Sequence, residues 1–170
     1  MLDEKLVELL NDQVNKEFYS AYLYLSMANY YNEEGLSGFG NWFTIQAQEE
    51  RDHAMLFLEY LQNNGAHVEL KTVEAPKKQF KEFKDPLNES LKHERYVTAS
   101  IHNIYAAASN VKDFRTMQFL DWFVKEQGEE EKTAEDLIKK LELFGQDGKG
   151  LYMLDSELAS RTYFAPTLTL

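Results

Sequence analysis

The stretch Glu49-Glu50-Arg51-Asp52-His53 lies in the middle of a segment whose apolar residues recur at helical spacing, from Ser37 to about Asn64. Glu50 and His53 are three residues apart, so on a helix they lie one turn apart on one face and can share a metal ion. A Glu-x-x-His pair alone is a weak signal. Its meaning depends on which groups the rest of the chain brings to the same level.

Three further segments show helical periodicity, each with an acid inserted into its apolar stripe. They run from about Asp3 to Glu33, from about Asp85 to Ala108 and from about Asp113 to Phe144. Ser37 is predicted to cap the second helix, and Asp85 followed by Pro86 to start the third, with Asp as the N-cap. The chain is therefore predicted to form four helices of roughly 27 residues, each about 40 Å long.

The connection between the second and third helices is unusually long. The segment from Ala66 to Asp85 shows no helical pattern, and compact domains seldom carry such a loop without a purpose. A chain of this length can cross the full bundle, so helices 2 and 3 are expected to run parallel. The other two connections are short and predict antiparallel hairpins. Together these features predict an all-α, four-helix bundle with one long crossover, as a single domain covering residues 1–170.

The segment after the fourth helix predicts a short C-terminal fifth helix. Gly148 and Gly150 are expected to form a flexible turn, and the helix to run from Leu151 to about Thr162, before the tail Tyr163–Leu170. Its apolar residues are Leu151, Tyr152, Leu154 and Leu158. A lone bundle would leave this face exposed, so we expect it to pack between subunits.

The composition excludes several classes of protein. Hydrophobic residues make up 44% of the chain and its net charge is −11, so it is neither disordered nor equipped with a basic surface for nucleic acid. Cys is absent, which excludes thiolate metal sites and suits a reducing compartment. No signal peptide or membrane-spanning stretch is recognised, so we expect a cytoplasmic protein with no membrane partner.

Each predicted helix carries a carboxylate about midway along its apolar stripe. These acids are Glu17, Glu50, Glu94 and Glu130. A single acid of this kind is usually partly exposed or hydrogen-bonded, but four at one level, with no Lys or Arg in the stripes, favour a metal site. Carboxylates with one imidazole suit iron better than zinc or copper.

Two irons need a shared ligand, and Glu50 is best placed to bridge them. Glu17 and His53 would complete one iron site, and Glu94 and Glu130 the other. Gln127 is neutral and can hydrogen-bond to a bound water or oxygen. Tyr24 lies on the same face as Glu17, either as a core tyrosine bonded to a neighbouring acid or as an electron donor during oxygen reduction.

The site residues resemble the ferroxidase set of the non-haem bacterial ferritins. The matching residues are Glu17, Tyr24, Glu50, His53, Glu94, Trp122, Gln127 and Glu130. The run Val124-Lys125-Glu126-Gln127-Gly128-Glu129-Glu130-Glu131 is similar to the fourth-helix signature of that family. The resemblance extends from the first helix through the fifth.

The resemblance implies a specific activity and assembly. It implies a 24-subunit homo-oligomeric cage that oxidises Fe(II) with oxygen or peroxide and stores ferric mineral. It also implies a third iron site formed by Glu49, Glu126 and Glu129, with Glu130 shared. Haem is not expected, because Arg51 stands where the haem-binding relatives carry Met.

Two other functions stay open at this point. One is a di-iron oxygenase or peroxidase acting on a small organic substrate, although little sequence is left over for a substrate pocket. The other is a purely structural bundle that binds no iron. His67 and His102 are interpreted as packing or surface residues, and Lys77-Lys78 as part of a solvated face. His93 is not assigned as a ligand, because on a helix it faces about 100° away from Glu94.

Overall fold

The computed structural model describes residues 2–76 and 79–170, and within those ranges all the regular secondary structure is helical. The helices are α1 Glu4–Glu33, α2 Ser37–Asn63, α3 Lys84–Asn110, α4 Phe114–Phe144 and α5 Gly148–Leu158. The predicted class, a four-helix bundle with a long crossover and a short fifth helix, is confirmed. The expectation for Lys77-Lys78 lies outside the described residues. None of the helices in these ranges is both long and apolar enough to cross a lipid bilayer.

Contacts at the two ends of α1 show how the helices are directed. Near its start, Asn11 Nδ2 donates to the carbonyl oxygen of His67 at 3.0 Å, so α2 ends beside the beginning of α1. Near its end, Tyr31 Oη donates to the carbonyl oxygen of Phe83 at 2.6 Å, so α3 begins beside the end of α1. The chain after α2 therefore crosses the length of the bundle, and α2 and α3 run parallel, as the loop length predicts.

Aspartates cap two of the long helices, but the two predicted caps are wrong. Asp3 and Asp113 accept hydrogen bonds from the first turns of α1 and α4 at 2.9 and 3.0 Å. Ser37 makes no capping bond, because α2 already begins at that residue. Asp85 lies inside α3, and its carboxylate accepts from two N–H groups of the preceding turn at 2.8 and 3.1 Å. It stabilises that turn rather than the helix start.

The fifth helix begins earlier than predicted. Gly148 and Gly150 lie inside it, because the Asp147 carboxylate accepts two backbone N–H bonds at 2.9 Å and caps the helix ahead of them. A Cβ atom on Gly150 would lie 2.0 Å from the carbonyl oxygen of Phe144. Glycine is therefore needed for the close approach of α5 to the end of α4, and not for a flexible turn.

Much of the apolar face of α5 packs on its own bundle. Leu154 and Leu158 are buried with residues of α2 and α4, and the Asp155 carboxylate accepts the backbone N–H of Phe39 at 2.9 Å. The expectation that this face packs between subunits is wrong for these two leucines. Tyr152, by contrast, is 72% exposed and stays available for such a contact.

The close packing of α5 against α2 predicts that Gly38 cannot be replaced without cost. A Cβ atom there would lie 1.7 Å from the carbonyl oxygen of Asp155, so Gly38→Ala must displace α5. We expect a loss of about 1–3 kcal/mol in the free energy of unfolding. Gly128→Ala is the control, since a Cβ there meets no atom within 4 Å and should gain up to about 1 kcal/mol. Thermal unfolding of both variants measures this, and a shift of the same sign in both would contradict the packing argument.

The core of the bundle consists of two apolar parts. The upper core contains Tyr24, Tyr31 and Phe43 and is closed by α5, while the lower core contains Phe57 and Phe123. A layer of buried polar side chains belongs to neither part. It comprises Gln13, Glu17, Gln46, Glu50, His53, Glu94, Gln127 and Glu130. This polar layer contains the acids that the sequence singled out.

Candidate metal centre

The four predicted acids all point into the bundle. Glu17 comes from α1, Glu50 from α2, Glu94 from α3 and Glu130 from α4, and none is more than 9% exposed. His53 is 2% exposed, and its ring lies against the rings of Trp122 and Phe123 at centroid distances of 5.5 and 5.8 Å. Each acid sits at a stripe position because the helical period places one residue per turn toward the interior.

Glu17, Glu50 and His53 form the tightest group in the polar layer. One ligand atom of each lies within 4.8 Å of the others, and His53 Nδ1 is 3.6 Å from Glu50 Oε2. Within the described part of the chain, Glu17 Oε2 is a buried oxygen that receives no hydrogen bond from a conventional donor. A neutral Glu17 can instead share its own proton with Glu50. A bound cation would satisfy this oxygen directly.

Glu94 and Glu130 lie beside this group and are held by other side chains. Gln127 Nε2 donates to Glu94 Oε2 at 3.0 Å, and Tyr24 Oη donates to Glu94 Oε1. Gln46 Nε2 donates to Glu130 Oε2 at 2.8 Å. The structure therefore brings all the predicted ligands of the buried centre into one polar layer, although Glu94 and Glu130 do not join the 4.8 Å group.

Two glutamines that hold the acids were missed in the sequence. Gln13 Nε2 donates to Glu17 Oε1 at 2.8 Å, and Gln46 Nε2 donates to Glu50 Oε1 at 3.2 Å as well as to Glu130. Each glutamine precedes its acid by four residues, so the pair shares one helix face. This repeated spacing was a usable signal, since it occurs on both helices of the first hairpin.

Burial and mutual repulsion raise the pKa of each of the four acids to about 8. Loss of hydration is the largest cause in every case. The next cause is a neighbouring carboxylate: Glu50 acts on both Glu17 and Glu94, Glu130 acts on Glu50, and Glu94 acts on Glu130. Without a bound cation, these groups hold protons near neutral pH rather than negative charge.

Tyr24 of α1 and His93 of α3 lie where these two helices meet beside the layer. Burial, followed by the charges of Glu94 and Glu50, raises the pKa of Tyr24 well above its usual range, so its phenol keeps its proton. This fits the interpretation of Tyr24 as a hydrogen-bonded core residue, and its electron-donor role stays a prediction. His93 is buried, with Nε2 2.7 Å from Ser20 Oγ.

Glu49, Glu126 and Glu129 lie at the outer edge of the centre. Glu49 and Glu126 are half-buried and Glu129 is exposed, with an oxygen 3.3 Å from Lys125 Nζ. Burial raises the pKa of both Glu49 and Glu126. The three acids line a cavity of about 400 Å³ that also reaches Glu130, so this residue connects the outer acids with the buried centre.

The donor set fits iron. It consists of carboxylate oxygens and one imidazole nitrogen, with no sulfur, and it includes an oxygen that lacks a hydrogen bond. A four-helix bundle that projects such groups inward from all four helices belongs to the class of carboxylate metalloproteins with a ferritin-like fold.

Comparison with known proteins agrees with this class. The family model described as a ferritin-like domain matches residues 7–144. The bacterial non-heme ferritin of Staphylococcus aureus (strain USA300) is 40% identical over 163 residues, covering 96% of this chain and 98% of its own. A closed form of Archaeoglobus fulgidus ferritin, engineered by site-directed mutagenesis, superposes with a TM-score of 0.94 at 44% identity, covering 96% of this chain and 100% of that one.

A second solved structure gives the same result. The open-pore ferritin from the hyperthermophilic archaeon A. fulgidus has a TM-score of 0.92 at 45% identity and covers 95% of this chain and 98% of that one. The chain therefore belongs to the ferritin family, and the resemblance seen in the sequence is confirmed. This family and fold support binding of iron and a role in iron storage.

Proposed function

We propose that this chain is a ferroxidase that oxidises Fe(II) to Fe(III) at the buried centre and stores the product as ferric mineral inside a 24-subunit cage. The observation that carries the proposal is the group of Glu17, Glu50 and His53, whose ligand atoms lie within 4.8 Å of one another in an otherwise closed bundle. Oxygen or peroxide would be the electron acceptor. No haem is needed for this chemistry.

Glu50 is the best candidate for a ligand shared by two irons. It lies in the 4.8 Å group, and its charge raises the pKa of Glu17 on one side and of Glu94 on the other. No other acid of the layer is the leading neighbouring charge for two of the four acids. Glu17 and His53 would hold the first Fe(II), and Glu94 and Glu130 the second.

The remaining polar residues orient these ligands. Gln13, Gln46 and Gln127 each donate to an oxygen of a proposed ligand, which fixes the orientation of Glu17, Glu50 and Glu94. Fe(II), when bound, supplies the electrons for reduction of the oxidant. The carboxylates release their protons as Fe(II) binds. Tyr24 keeps its phenolic proton and donates it in a hydrogen bond to Glu94.

The cavity beside the centre favours iron over an organic substrate. Its lining includes the carboxylates of Glu49, Glu126, Glu129 and Glu130, which attract cations and disfavour apolar molecules. This argues against the alternative of a di-iron oxygenase or peroxidase acting on a small organic compound. We propose that the same carboxylates form a third iron site.

The cage and its iron content can be tested together. Twenty-four subunits of 19.9 kDa would form a shell of about 480 kDa. Analytical ultracentrifugation should therefore find a species of this size with and without iron, and iron-loaded samples should sediment faster. No Soret absorbance should co-purify. A monomeric protein, or one that accumulates no ferric mineral, would disprove the proposal.

The third site makes a separate prediction. Glu126→Ala and Glu129→Ala should change the number of irons oxidised per oxygen and slow recovery of the centre by several-fold, because a route out of the centre is lost. The first rapid oxidation phase should stay within about twofold of wild type. Glu142→Ala, which removes an exposed acid farther along α4, is the control. Oxygen-electrode and stopped-flow measurements that find all three variants alike would count against this site.

A further inference from the structure

The C-terminal tail lies over the outer acids of the metal centre. After α5, the tail, defined here as Arg161–Leu170, follows the groove between α2 and α4. Tyr163 Oη donates to Asp52 Oδ2 at 2.6 Å, and Trp122 Nε1 donates to Thr167 Oγ1 at 3.2 Å. The tail thus lines one side of the cavity that contains Glu49, Glu126 and Glu129.

The span of the tail agrees with this path. Leu168 packs against the lower core beside Tyr60, seven residues after Arg161 reaches Gln46. Seven extended residues cover about 23 Å, and the helical rise from Gln46 to Tyr60 is about 21 Å. The tail therefore runs nearly straight and parallel to α2, with little slack between its two ends.

Arg161 is the residue that ties the tail to the acids. One guanidinium nitrogen, Nη2, lies 2.5 Å from Glu49 Oε2, and the other, Nη1, donates to the carbonyl oxygen of Trp42 at 3.1 Å and to Gln46 Oε1 at 3.0 Å. Its Cζ atom lies 4.3 Å from the centre of the Trp42 ring. Both charged side chains are mostly buried, at 23% and 19% exposed, so this pair is better shielded from solvent than a surface pair.

The same arginine also acts on the buried centre through Gln46. Because Gln46 Oε1 accepts from Arg161, its amide nitrogen must face the other way, toward Glu50 and Glu130. Arg161 is therefore in contact with one outer ligand and with the residue that orients two inner ligands. A cation that bound the Glu49 carboxylate would compete with the guanidinium for the same oxygen.

We propose that Arg161 is a built-in competitor for the third iron site: its guanidinium neutralises Glu49 when no metal is bound there, and a divalent cation must displace it, with the start of the tail, to use that carboxylate. This inference rests on the proposed function, since it takes Glu49 as an iron ligand. It makes Arg161 a positioning residue that keeps the affinity of the third site for a divalent cation below that of the buried centre. Iron that reaches Glu49 is then easily passed on.

Binding of Zn(II) alone tests the proposal without any oxidation. Arg161→Gln should tighten the weakest zinc-binding step by about tenfold, the worth of one modest charge-assisted hydrogen bond, and leave the tighter steps within about threefold. Isothermal titration calorimetry on the intact assembly measures both. Arg95→Gln, which removes an arginine from the exposed face of α3, should change neither step.

Fluorescence of Trp42 reports the displacement itself. The chain has two tryptophans, so Trp122→Phe leaves Trp42 as a single reporter against Arg161. Zinc is redox-inactive, and a change in Trp42 emission should accompany the weakest zinc step and disappear when Arg161→Gln is added. Thr167→Val, which removes the tail contact with Trp122, should not tighten zinc binding.

The outcomes separate this inference from the proposed function. If the weakest step is unchanged or weaker in Arg161→Gln, or Trp42 does not respond to it, Arg161 is an anchor only and the inference is wrong. If Thr167→Val tightens zinc binding equally, release of the tail rather than the guanidinium is responsible, and the inference is again wrong. If zinc binds neither the outer nor the buried acids, the proposed function itself fails.

Discussion

Replacing Glu50 or His53 with Ala should lower the rate of rapid Fe(II) oxidation by about 100-fold or more. Loss of a residue that only orients a ligand typically costs 10–100-fold, and loss of a ligand should cost at least as much. Glu50 is expected to have the larger effect, because it is proposed to serve both irons. Stopped-flow absorbance of the ferric product measures the rate directly.

The fold should survive these substitutions. Glu50 is buried at 2% exposure, and both burial and the charge of Glu130 disfavour its ionised form, so its removal relieves a cost as well as leaving a space. Glu59→Ala and His102→Ala are the controls, since both side chains are exposed on helices of the same bundle. Wild-type oxidation rates in Glu50→Ala or His53→Ala, with folded protein, would remove these residues from the centre.

Metal affinity should rise steeply with pH, by about tenfold for each pH unit and for each proton released. The carboxylates of the polar layer have pKa values of about 8, so below pH 8 a cation must displace protons from them. With one proton released per cation, the apparent affinity for Zn(II) should increase about 100-fold between pH 6 and pH 8 and then level off. Calorimetry in buffers of different ionisation enthalpy counts the protons.

The stability of the metal-free protein should follow the opposite trend. The four acids have pKa values near 8 in the folded chain and about 4.3 in an unfolded chain, so the folded state binds more protons between these limits. Their contribution to stability is complete below about pH 4 and is lost as the pH rises toward 8. Glu50→Gln should weaken this dependence. Absence of proton release on metal binding, or a pH-independent affinity, would contradict both expectations.

The acids of the centre could be found in the sequence because each interrupts a regular pattern. Glu17 and Glu94 occupy positions that helical periodicity assigns to apolar residues, and a buried charge at such a place needs a partner. The parallel direction of α2 and α3 followed from the length of their connection alone. Periodicity and loop length are local quantities, so both predictions needed only short stretches of sequence.

The errors and omissions arose from local caps that were not recognised and from tertiary contacts. Gly148 and Gly150 resemble helix terminators, but Asp147 caps α5 before them and the helix packs on α4. Arg161 is 112 residues from Glu49 in the chain, and the tail that carries it has no periodic pattern. No rule based on spacing would have paired these two residues, because the path of an irregular segment is set by the groove it lies in.

The separation of the interior into an upper and a lower core has a consequence for protein engineering. The two cores are divided by the polar layer, so substitutions in one should add to substitutions in the other with little coupling. A designer could therefore strengthen the packing of Leu137 or Phe57 while leaving the residues of the candidate metal centre in place. Filling the polar layer itself with leucines should give a more stable bundle that binds no iron, because the cost of burying four carboxylates would be removed.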